Sequence, residues 1–472
     1  MTRAAGTGRQ PRMSLPAIMV FSLGGLPTSA MGIAILVYLS PYFASHLGVP
    51  LTVIGAAFAI VRGVDWFVDP LLGMIMDRTR TPLGRYRVWQ IIGVPILMLS
   101  VYKLFMARPG IGESYLITWL FLLYLGASIL DLSRSARTAT LATQYDERSR
   151  VFGILTAVSI LGNVAILVIP IFAARFGSAA GSSVPIMGWF VLLLTPLTVG
   201  VATALTGEHV NVEVHSKSPP WRDYLALARK PALIRLFLGQ VAVSLGPNAM
   251  SAMYLFFFTT SRGYTAAQAS ILLLVFLVSG IAGAPATAAL ARRIGKHRTL
   301  MITTTAFSLG LCTALMFPRG NVPAILPMMV LCGLMNSGFS LMISAMAADF
   351  GDEIRLDQGK EQLSLIYAML SFANKVAGAT SIILTYSVLS AVGYKAVEGA
   401  VNTPAAIHGL EASFLIGPIF FVMLGGACFI GWKLDAKRHG DIRAALEARD
   451  AALEASRVDH PGDVEAIVAI RG

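Results

Sequence analysis

The segment LTVIGAAFAIVRGVDWFVDPLLGMIM, residues 51–76, decides the fold class of this chain. It exceeds the roughly 20 apolar residues that a helix needs to cross a bilayer, yet it contains Arg62, Asp65 and Asp69. On a helix these side chains stand at i, i+3 and i+7 and share one face. Because a charge at mid-bilayer costs about 2.5–3.5 kcal/mol on insertion scales, this face is predicted to point into the protein or toward a wet cavity.

The composition of the whole chain agrees with a membrane protein. Hydrophobic residues make up 56% and charged residues 13% of the sequence, and the mean hydropathy is +0.70. Soluble domains carry about 25% charged residues, so lipid is predicted to solvate most of the chain. The formal net charge of +12 does not indicate nucleic-acid binding, because the basic residues lie between apolar segments, where they orient membrane proteins.

Twelve apolar segments occur along the chain, and each predicts a transmembrane helix. In the first half they are 16–44, 51–76, 88–107, 115–141, 151–175 and 184–206. In the second half they are 232–260, 266–290, 299–317, 322–347, 363–391 and 410–432. The predicted fold class is therefore an all-α membrane protein with twelve transmembrane helices.

The polar connections predict the domain organisation and the orientation. We expect a six-helix bundle over residues 1–206, a central loop over 207–231, a second six-helix bundle over 232–432 and a tail over 433–472. Basic residues are concentrated in alternate connections, so the positive-inside rule places both termini, the central loop and the tail helix in the cytoplasm. The expected location is the inner membrane of a bacterium.

Two connections in corresponding places of the two halves are similar. The first reads GMIMDRTRTPLGRYR, residues 73–87, and the second reads APATAALARRIGKHR, residues 284–298. Such a repeat of two six-helix halves is typical of transporters in which the halves rock against each other. A charge cluster in the first connection is predicted to act as a cytoplasmic gate that forms when the inner side closes; its residues are Gly73, Asp77, Arg78, Gly84 and Arg85.

The predicted membrane interior contains six charged side chains. The acids are Asp65, Asp69 and Asp131, and the cations are Arg62, Arg134 and Lys375. One interpretation is a set of structural salt bridges. The other is a cation site, because neighbouring carboxylates in a poorly hydrated cavity cannot all stay ionised, and a proton or metal ion would relieve their repulsion in a coupled titration. Ser128, one turn before Asp131, could add a hydroxyl ligand.

Several motifs resemble a known family of transporters. They are RGVDWFVDPLLG at 62–73, TPLGRYRVW at 81–89, YDERSRVFG at 145–153 and ADFGDEIRLDQGKEQLSLIYAMLSFANKVAG at 348–378. They are similar to motifs of the glycoside–pentoside–hexuronide:cation symporters of the major facilitator superfamily. The resemblance implies two pseudo-symmetric six-helix bundles around a central cavity and cation-coupled import by alternating access.

The resemblance also implies roles for single residues. Asp65 and Asp69 correspond to acids that bind the coupling cation, which would be Na⁺ if the transporter is sodium-coupled. Asp131 corresponds to an acid shared between cation and sugar, and Ser128 to a hydroxyl that helps to hold sodium. Lys375 corresponds to a lysine close to both sites.

The sequence departs from the sugar permease of this family at several positions. Ser29, preceded by Thr28, replaces an acid, Ser135 replaces a sugar-stacking tryptophan, and Thr156 replaces an arginine. Val68 replaces an amide of the cation site, which favours a proton over sodium, whereas Arg134 adds a positive charge. These departures disfavour a galactoside and favour a uronate or another anionic or amphiphilic solute.

The resulting hypothesis is a secondary active symporter, not an enzyme, that imports a sugar, glycoside or uronate-like solute with Na⁺ or H⁺. The alternative is a cation-coupled transporter of lysolipids or other amphiphiles, with Lys375 or Arg134 at the headgroup. We expect a monomer without an organic cofactor whose partners are the solute, the cation and the lipid bilayer, with no role for nucleic acid. The sequence contains no phosphate-binding loop motif, so ATP-driven transport is not indicated.

Overall fold

The computed structural model describes residues 15–141, 145–175, 183–206, 230–358, 362–397 and 399–459. Within these ranges all regular secondary structure is helical. The helices are α1 (Leu15–Ser45), α2 (Leu51–Arg78), α3 (Arg87–Phe105), α4 (Glu113–Leu141), α5 (Tyr145–Arg175), α6 (Ser183–Leu205), α7 (Pro231–Ser261), α8 (Ala266–Ile294), α9 (Lys296–Cys312), α10 (Val322–Gln358), α11 (Leu363–Ala391), α12 (Pro404–Ala427) and α13 (Ala436–Asp459).

Eleven helices of the described ranges are long and apolar enough to cross a membrane: α1 to α8 and α10 to α12. The predicted span 299–317 corresponds to α9, which has 17 residues and continues into a 3₁₀ turn at Thr313–Leu315. The all-helical prediction is therefore confirmed, whereas eleven rather than twelve helices meet the criterion of length and hydropathy. The predicted central loop lies almost entirely outside the described residues.

The helices pack as two groups in chain order. In the first group, α3 packs on α4 and α6, α2 on α4, and α1 on α5. In the second, α7 packs on α11 and α12, α8 on α10, and α9 on α10 and α12. The groups meet where α2 packs on α11, α5 on α8 and α1 on α7. Side chains on α2 and α11 are thus positioned between the two groups.

The first helix is not regular along its length. It is interrupted by a turn at Gly24 and Gly25 and contains a π-helical segment at Ala34–Leu39. Beyond the interruption α5 approaches it very closely, since a Cβ at Gly162 would lie 2.5 Å from the carbonyl oxygen of Leu26. Only glycine permits this approach, which fixes the first turn of the second segment of α1 against α5.

Two hydrogen bonds join the groups near the end where α1 finishes. Tyr38 and Ser270 place their hydroxyl oxygens 2.7 Å apart, and the Ser40 and Tyr386 hydroxyls are also hydrogen-bonded. All four side chains are buried. We call these two hydrogen bonds the distal ties. Beside them lies a cavity of about 710 Å³ formed by both groups.

The tail helix α13 packs on the last turns of α10, at the opposite end of the molecule. Arg438 contacts Glu353 at 2.8 Å, and His439 contacts Asp352 at 3.1 Å. These charge pairs explain why α10 continues to Gln358, beyond the predicted end of its span at residue 347, because the acids of its extension have partners on the tail. Residues 460–472 of the predicted tail lie outside the described part of the chain.

Candidate functional site

Helix α2 presents one charged face and one apolar face, as its sequence predicts. It runs without interruption through Pro70. Asp65 is 4% exposed, whereas Phe67 on the opposite face is 78% exposed. An exposed phenylalanine at this depth is expected to contact lipid, so the aspartate face is directed into the protein, toward α4 and α11.

The first group of charges, called the α2–α11 charge cluster below, consists of Arg62, Asp65, Asp69, Ser128 and Lys375. The Lys375 ammonium contacts the Asp69 carboxylate and lies 3.9 Å from Asp65 Oδ2. Arg62 Nη1 lies 3.6 Å from the same oxygen. Ser128 donates its hydroxyl to Asp65 Oδ1 at 3.2 Å. Side chains from α2, α4 and α11 therefore meet between the two helix groups.

This cluster is neutral when its groups are ionised, because two carboxylates face two cations. Arg62 also lies over the Tyr124 ring at 3.9 Å from its centroid, a cation–π contact. Asp69 Oδ1 and Trp66 Nε1 are buried and have no hydrogen-bond partner among the described residues. A buried acceptor and a buried donor without partners need an explanation, and a bound ion or water molecule is one.

A second group of side chains, the α1–α4 charge cluster, consists of Thr28, Asp131 and Arg134 with Gly25 beside them. Asp131 Oδ1 accepts hydrogen bonds from Arg134 Nη2 at 2.9 Å and from Thr28 Oγ1 at 3.1 Å. The Asp131 side chain is 50% exposed. Arg134 Nη1 is buried and unpaired in the described structure. Asp131 thus lies one helical turn from Ser128 but contacts an arginine rather than the two aspartates of α2.

The remaining positions at which the sequence departs from the sugar permease are Ser29, Ser135, Thr156 and Val68. Ser29 donates its hydroxyl to the Gly25 carbonyl of its own helix at 3.0 Å. Ser135 is exposed on α4 and Thr156 is exposed on α5. Val68 is half-buried on α2.

The predicted gate residues lie where α2 ends and the connection to α3 begins. Gly73 and Asp77 belong to the last two turns of α2, and the side chain of Asp77 lies outside the described residues. Arg78 is exposed, whereas Arg85 donates Nε to a carbonyl oxygen at the end of α2 at 3.4 Å. Gly84 has φ +110°, a conformation that favours glycine.

The corresponding connection of the second half has similar geometry. Gly295 has φ +90° and also precedes a basic residue, Lys296. Lys296 Nζ lies 2.6 Å from Asp349 Oδ1 of α10. The glycines of the two Gly-basic pairs therefore both adopt a positive φ angle.

Two polar networks were not predicted from the sequence. Gln240 and Ser244 of α7 both donate to Asn374 Oδ1 of α11. Arg137 is fully buried and donates to Gln90 Oε1 and to Thr206, which links α4 to α3 and to the end of α6. The signal available in the sequence was the presence of amides and hydroxyls inside apolar segments, which lipid does not tolerate without partners.

The combined geometry suits a carrier of small charged or polar species. Paired carboxylates next to an ammonium group can exchange that ammonium for a proton or a small cation. A family model described as MFS/sugar transport protein matches residues 20–436. The chain belongs to this family.

Several relatives of the chain are named as carriers of sugars or glycosides. The chain is 27% identical over 432 residues to the isoprimeverose transporter of Lactiplantibacillus pentosus, covering 88% of this chain and 87% of the relative. It is 24% identical over 451 residues to the glucuronide carrier protein homolog of Escherichia coli (strain K12), covering 93% and 96% of the two chains. These matches confirm the resemblance to the glycoside–pentoside–hexuronide branch.

Solved structures support the fold. The nucleoside transporter NupG aligns with a TM-score of 0.68 at 15% identity, covering 89% of this chain and all of that one. As a member of the MFS/sugar transport protein family, the chain is an integral, multi-pass membrane transporter and not an enzyme. The family and its relatives also identify a small-molecule solute as its ligand.

Proposed function

We propose that this protein is a cation-coupled symporter that imports a glycoside or uronide by alternating access. The observation that carries the proposal is the position of Lys375. It extends from α11 of the second helix group to Asp65 and Asp69 on α2 of the first group. The occupancy of these carboxylates and the relative position of the two groups are thereby linked.

The coupling step follows from the charges of the α2–α11 charge cluster. A cation that binds Asp65 and Asp69 adds one positive charge to a neutral cluster and repels the Lys375 ammonium. Lys375 is then released toward the solute, and the contact between α2 and α11 is weakened. Na⁺ and H⁺ both satisfy this scheme; we favour H⁺, because Val68 offers no amide oxygen for sodium.

The proposed solute is a sugar that carries a carboxylate. The α1–α4 charge cluster offers Arg134 with an unpaired, buried Nη1, and guanidinium groups bind carboxylates in a forked geometry. Asp131 and Thr28 remain as hydrogen-bonding groups for hydroxyls. The names of the relatives refer to sugars, so the alternative of an amphiphile is not favoured.

We also propose that α9 is the twelfth span and that both termini face the cytoplasm of a bacterial inner membrane. Helix α9 is about 25 Å long, and the 3₁₀ turn that follows it adds about 6 Å. The combined length is close to the roughly 30 Å of a bilayer core. The basic connections at 78–87 and 292–298 lie at the same end of the helices as the tail, which the positive-inside rule assigns to the cytoplasm.

The proposal is tested by uptake of methyl β-glucuronide into proteoliposomes with an imposed proton or sodium gradient. Asp65→Asn and Asp69→Asn are each expected to abolish accumulation above equilibration, because the cation loses its carboxylate ligand. Asp357→Asn, an exposed position at the end of α10, serves as the matched control and is expected to accumulate normally. Gradient-driven accumulation that survives in both site variants contradicts the proposal.

A further inference from the structure

The second helix group contributes a closed triangle of neutral polar side chains beside Lys375. Gln240 Nε2 lies 2.9 Å from Asn374 Oδ1, and Ser244 Oγ lies 2.6 Å from the same oxygen. Gln240 Nε2 also donates to Ser244 Oγ at 2.9 Å. We call this set the α7–α11 amide triangle. It joins two helices through side chains that have no place in the proposed cation site.

The triangle faces water rather than lipid. Asn374 is exposed and Ser244 is half-buried, although both lie well inside membrane-spanning helices. An exposed amide at this depth is strongly disfavoured against hydrocarbon. Asn374 directly precedes Lys375, whose side chain reaches the α2–α11 charge cluster between the helix groups. The triangle therefore lies at the same depth as this charge cluster.

The helix that carries Gln240 and Ser244 is held firmly from behind. A Cβ at Gly246 would lie 2.9 Å from the carbonyl oxygen of Pro418, and a Cβ at Gly425 would lie 3.0 Å from the backbone nitrogen of Val243. Helices α7 and α12 thus approach through backbone contacts that any larger residue would disturb. A rigid support of this kind is what positions side chains accurately for recognition.

The triangle uses only part of the hydrogen-bonding capacity of its members. Asn374 contributes its carbonyl oxygen, and Gln240 contributes its amide nitrogen. Gln240 is buried, so it supports the triangle from behind, whereas Asn374 is exposed and Ser244 is half-buried. The amide nitrogen of Asn374 remains outside the triangle as a donor, and a hydroxyl of a sugar ring can accept from it.

An aromatic pair includes Phe237, which lies one helical turn before Gln240 on α7. The rings of Phe237 and Phe372 are stacked with centroids 6.2 Å apart, and Phe372 is 43% exposed. Trp66 of α2 packs edge-on against Phe372 at 5.4 Å. Apolar ring faces beside a few oriented polar groups are the usual composition of a small-molecule site.

We infer that the α7–α11 amide triangle is the part of the solute site that recognises the ring hydroxyls of a pyranoside. This inference rests on the proposed function, with the solute carboxylate held by Arg134 on the opposite helix group. The triangle carries no charge, so it selects hydroxylated solutes, whereas Arg134 selects anionic ones. Specificity is thus divided between the two groups, and the solute contacts both when they close on it.

The test compares transport kinetics of Ser244→Ala and Asn374→Ala with those of the wild type, with methyl β-glucuronide and its monodeoxy analogues as probes. Each variant is expected to raise KM at least about tenfold, because hydroxyl partners are lost in a desolvated site. Binding of a proton or sodium at the α2–α11 charge cluster, whose side chains are unchanged in these variants, is expected to remain. The wild type is expected to bind at least one deoxy analogue more weakly than methyl β-glucuronide. In the variant, removing the same hydroxyl is expected to cause no further loss of affinity.

Ser308→Ala is the matched control, since Ser308 of α9 is buried and donates to a carbonyl of its own helix; its KM is expected to equal that of the wild type. An unchanged KM in both triangle variants overturns the inference. If Asn374→Ala is not obtained as a folded protein, Ser244→Ala alone decides. Wild-type protein that takes up no glycoside under any cation gradient contradicts the proposed function instead, so the two failures are distinguishable.

Discussion

Lys375 places one ammonium group against two carboxylates, of which Asp65 is buried and Asp69 is partly buried. It contacts Asp69 directly and lies 3.9 Å from Asp65, so its position depends on whether another cation occupies them. Removing one partner of a fully buried ion pair typically costs about 3–5 kcal/mol, because the remaining charge is left uncompensated. The cost is smaller here, because the Lys375 side chain is 33% exposed. Lys375 is therefore expected to contribute to stability as well as to the proposed coupling.

We predict that Lys375→Ala lowers the thermal stability of the detergent-purified protein and increases its stabilisation by the coupling cation. The uncompensated aspartates bind a proton or Na⁺ more tightly when no ammonium competes for them. Melting temperatures measured over a series of pH values and sodium concentrations check this. Lys395→Ala, at an exposed position after α11, is the control. An equal cation-induced shift in wild type and variant contradicts the prediction.

For single residues, the sequence predicted which face of a helix carries a side chain, but not which residues of other helices that side chain contacts. The spacing of Arg62, Asp65 and Asp69 is sufficient to place them on one side of α2, and the structure agrees. That Asp131 pairs with Arg134 rather than joining these acids depends on how α1 is positioned against α4. Helical periodicity contains no information about such neighbours on other helices.

Among the elements, α1 owes its shape to Gly24 and Gly25. Its interruption at these residues leaves space for the Arg134 guanidinium, since a Cβ at Gly25 would lie only 1.6 Å from Arg134 Nη1. The Arg134 guanidinium therefore occupies the space that a side chain at position 25 would fill. The position of the proposed carboxylate-binding group depends on the absence of a single methyl group.

We predict that Gly25→Ala weakens binding of an anionic sugar by about tenfold, because Arg134 must move away from its place beside Asp131. Equilibrium binding of methyl β-glucuronide measured by calorimetry checks this. Gly32→Ala on the same helix is the matched control, because a Cβ at Gly32 has no neighbour within 4 Å. Equal affinities of the two variants would show that Arg134 is not positioned by this glycine.

Element boundaries were predicted well where hydrophobicity alone determines them and less well elsewhere. Predicted span 51–76 and α2 agree closely. Helix α10 extends to Gln358 because tail residues compensate its charges, and α12 begins at Pro404, where Thr403 accepts a hydrogen bond from the Ala406 amide. A hydropathy pattern does not register such charge pairs or helix caps.

For the whole molecule, the distal ties hold the two helix groups together at one end. Each tie uses hydroxyl groups from both groups, and all four side chains are buried. Breaking such a hydrogen bond typically costs about 0.5–1.5 kcal/mol. This magnitude is sufficient to shift the population of two conformations by about two- to tenfold without unfolding either.

We predict that Tyr38→Phe and Tyr386→Phe each increase the population in which the distal ends are apart. Distances between spin labels at positions 46 and 395, which line the cavity beside the ties, check this. Tyr254→Phe is the matched control, because Tyr254 is also buried but donates to Ala269 within its own helix group. A distance distribution unchanged from wild type in both tie variants contradicts the prediction.

The family resemblance predicted more of the arrangement of the helix groups than the properties of single residues did. The helices pack in two groups in chain order, and Gly84 and Gly295 both have a positive φ angle; the pseudo-symmetry of the two halves stays a prediction. The distal ties were not predicted, because a tyrosine or serine in an apolar segment has no pattern that identifies its partner in the other group. Contacts of that kind are determined by the relative position of the groups.

The neutrality of both charge clusters determines how membrane voltage acts on the carrier. With its acids and bases ionised, the empty carrier moves no net charge, so voltage does not drive its return. One cation with a neutral glycoside moves one charge, for which an inside-negative potential supplies about 2.3 kcal/mol per 100 mV. One cation together with a uronide anion moves no net charge. The ionisation of the cargo, rather than that of the protein, therefore decides whether transport generates a current.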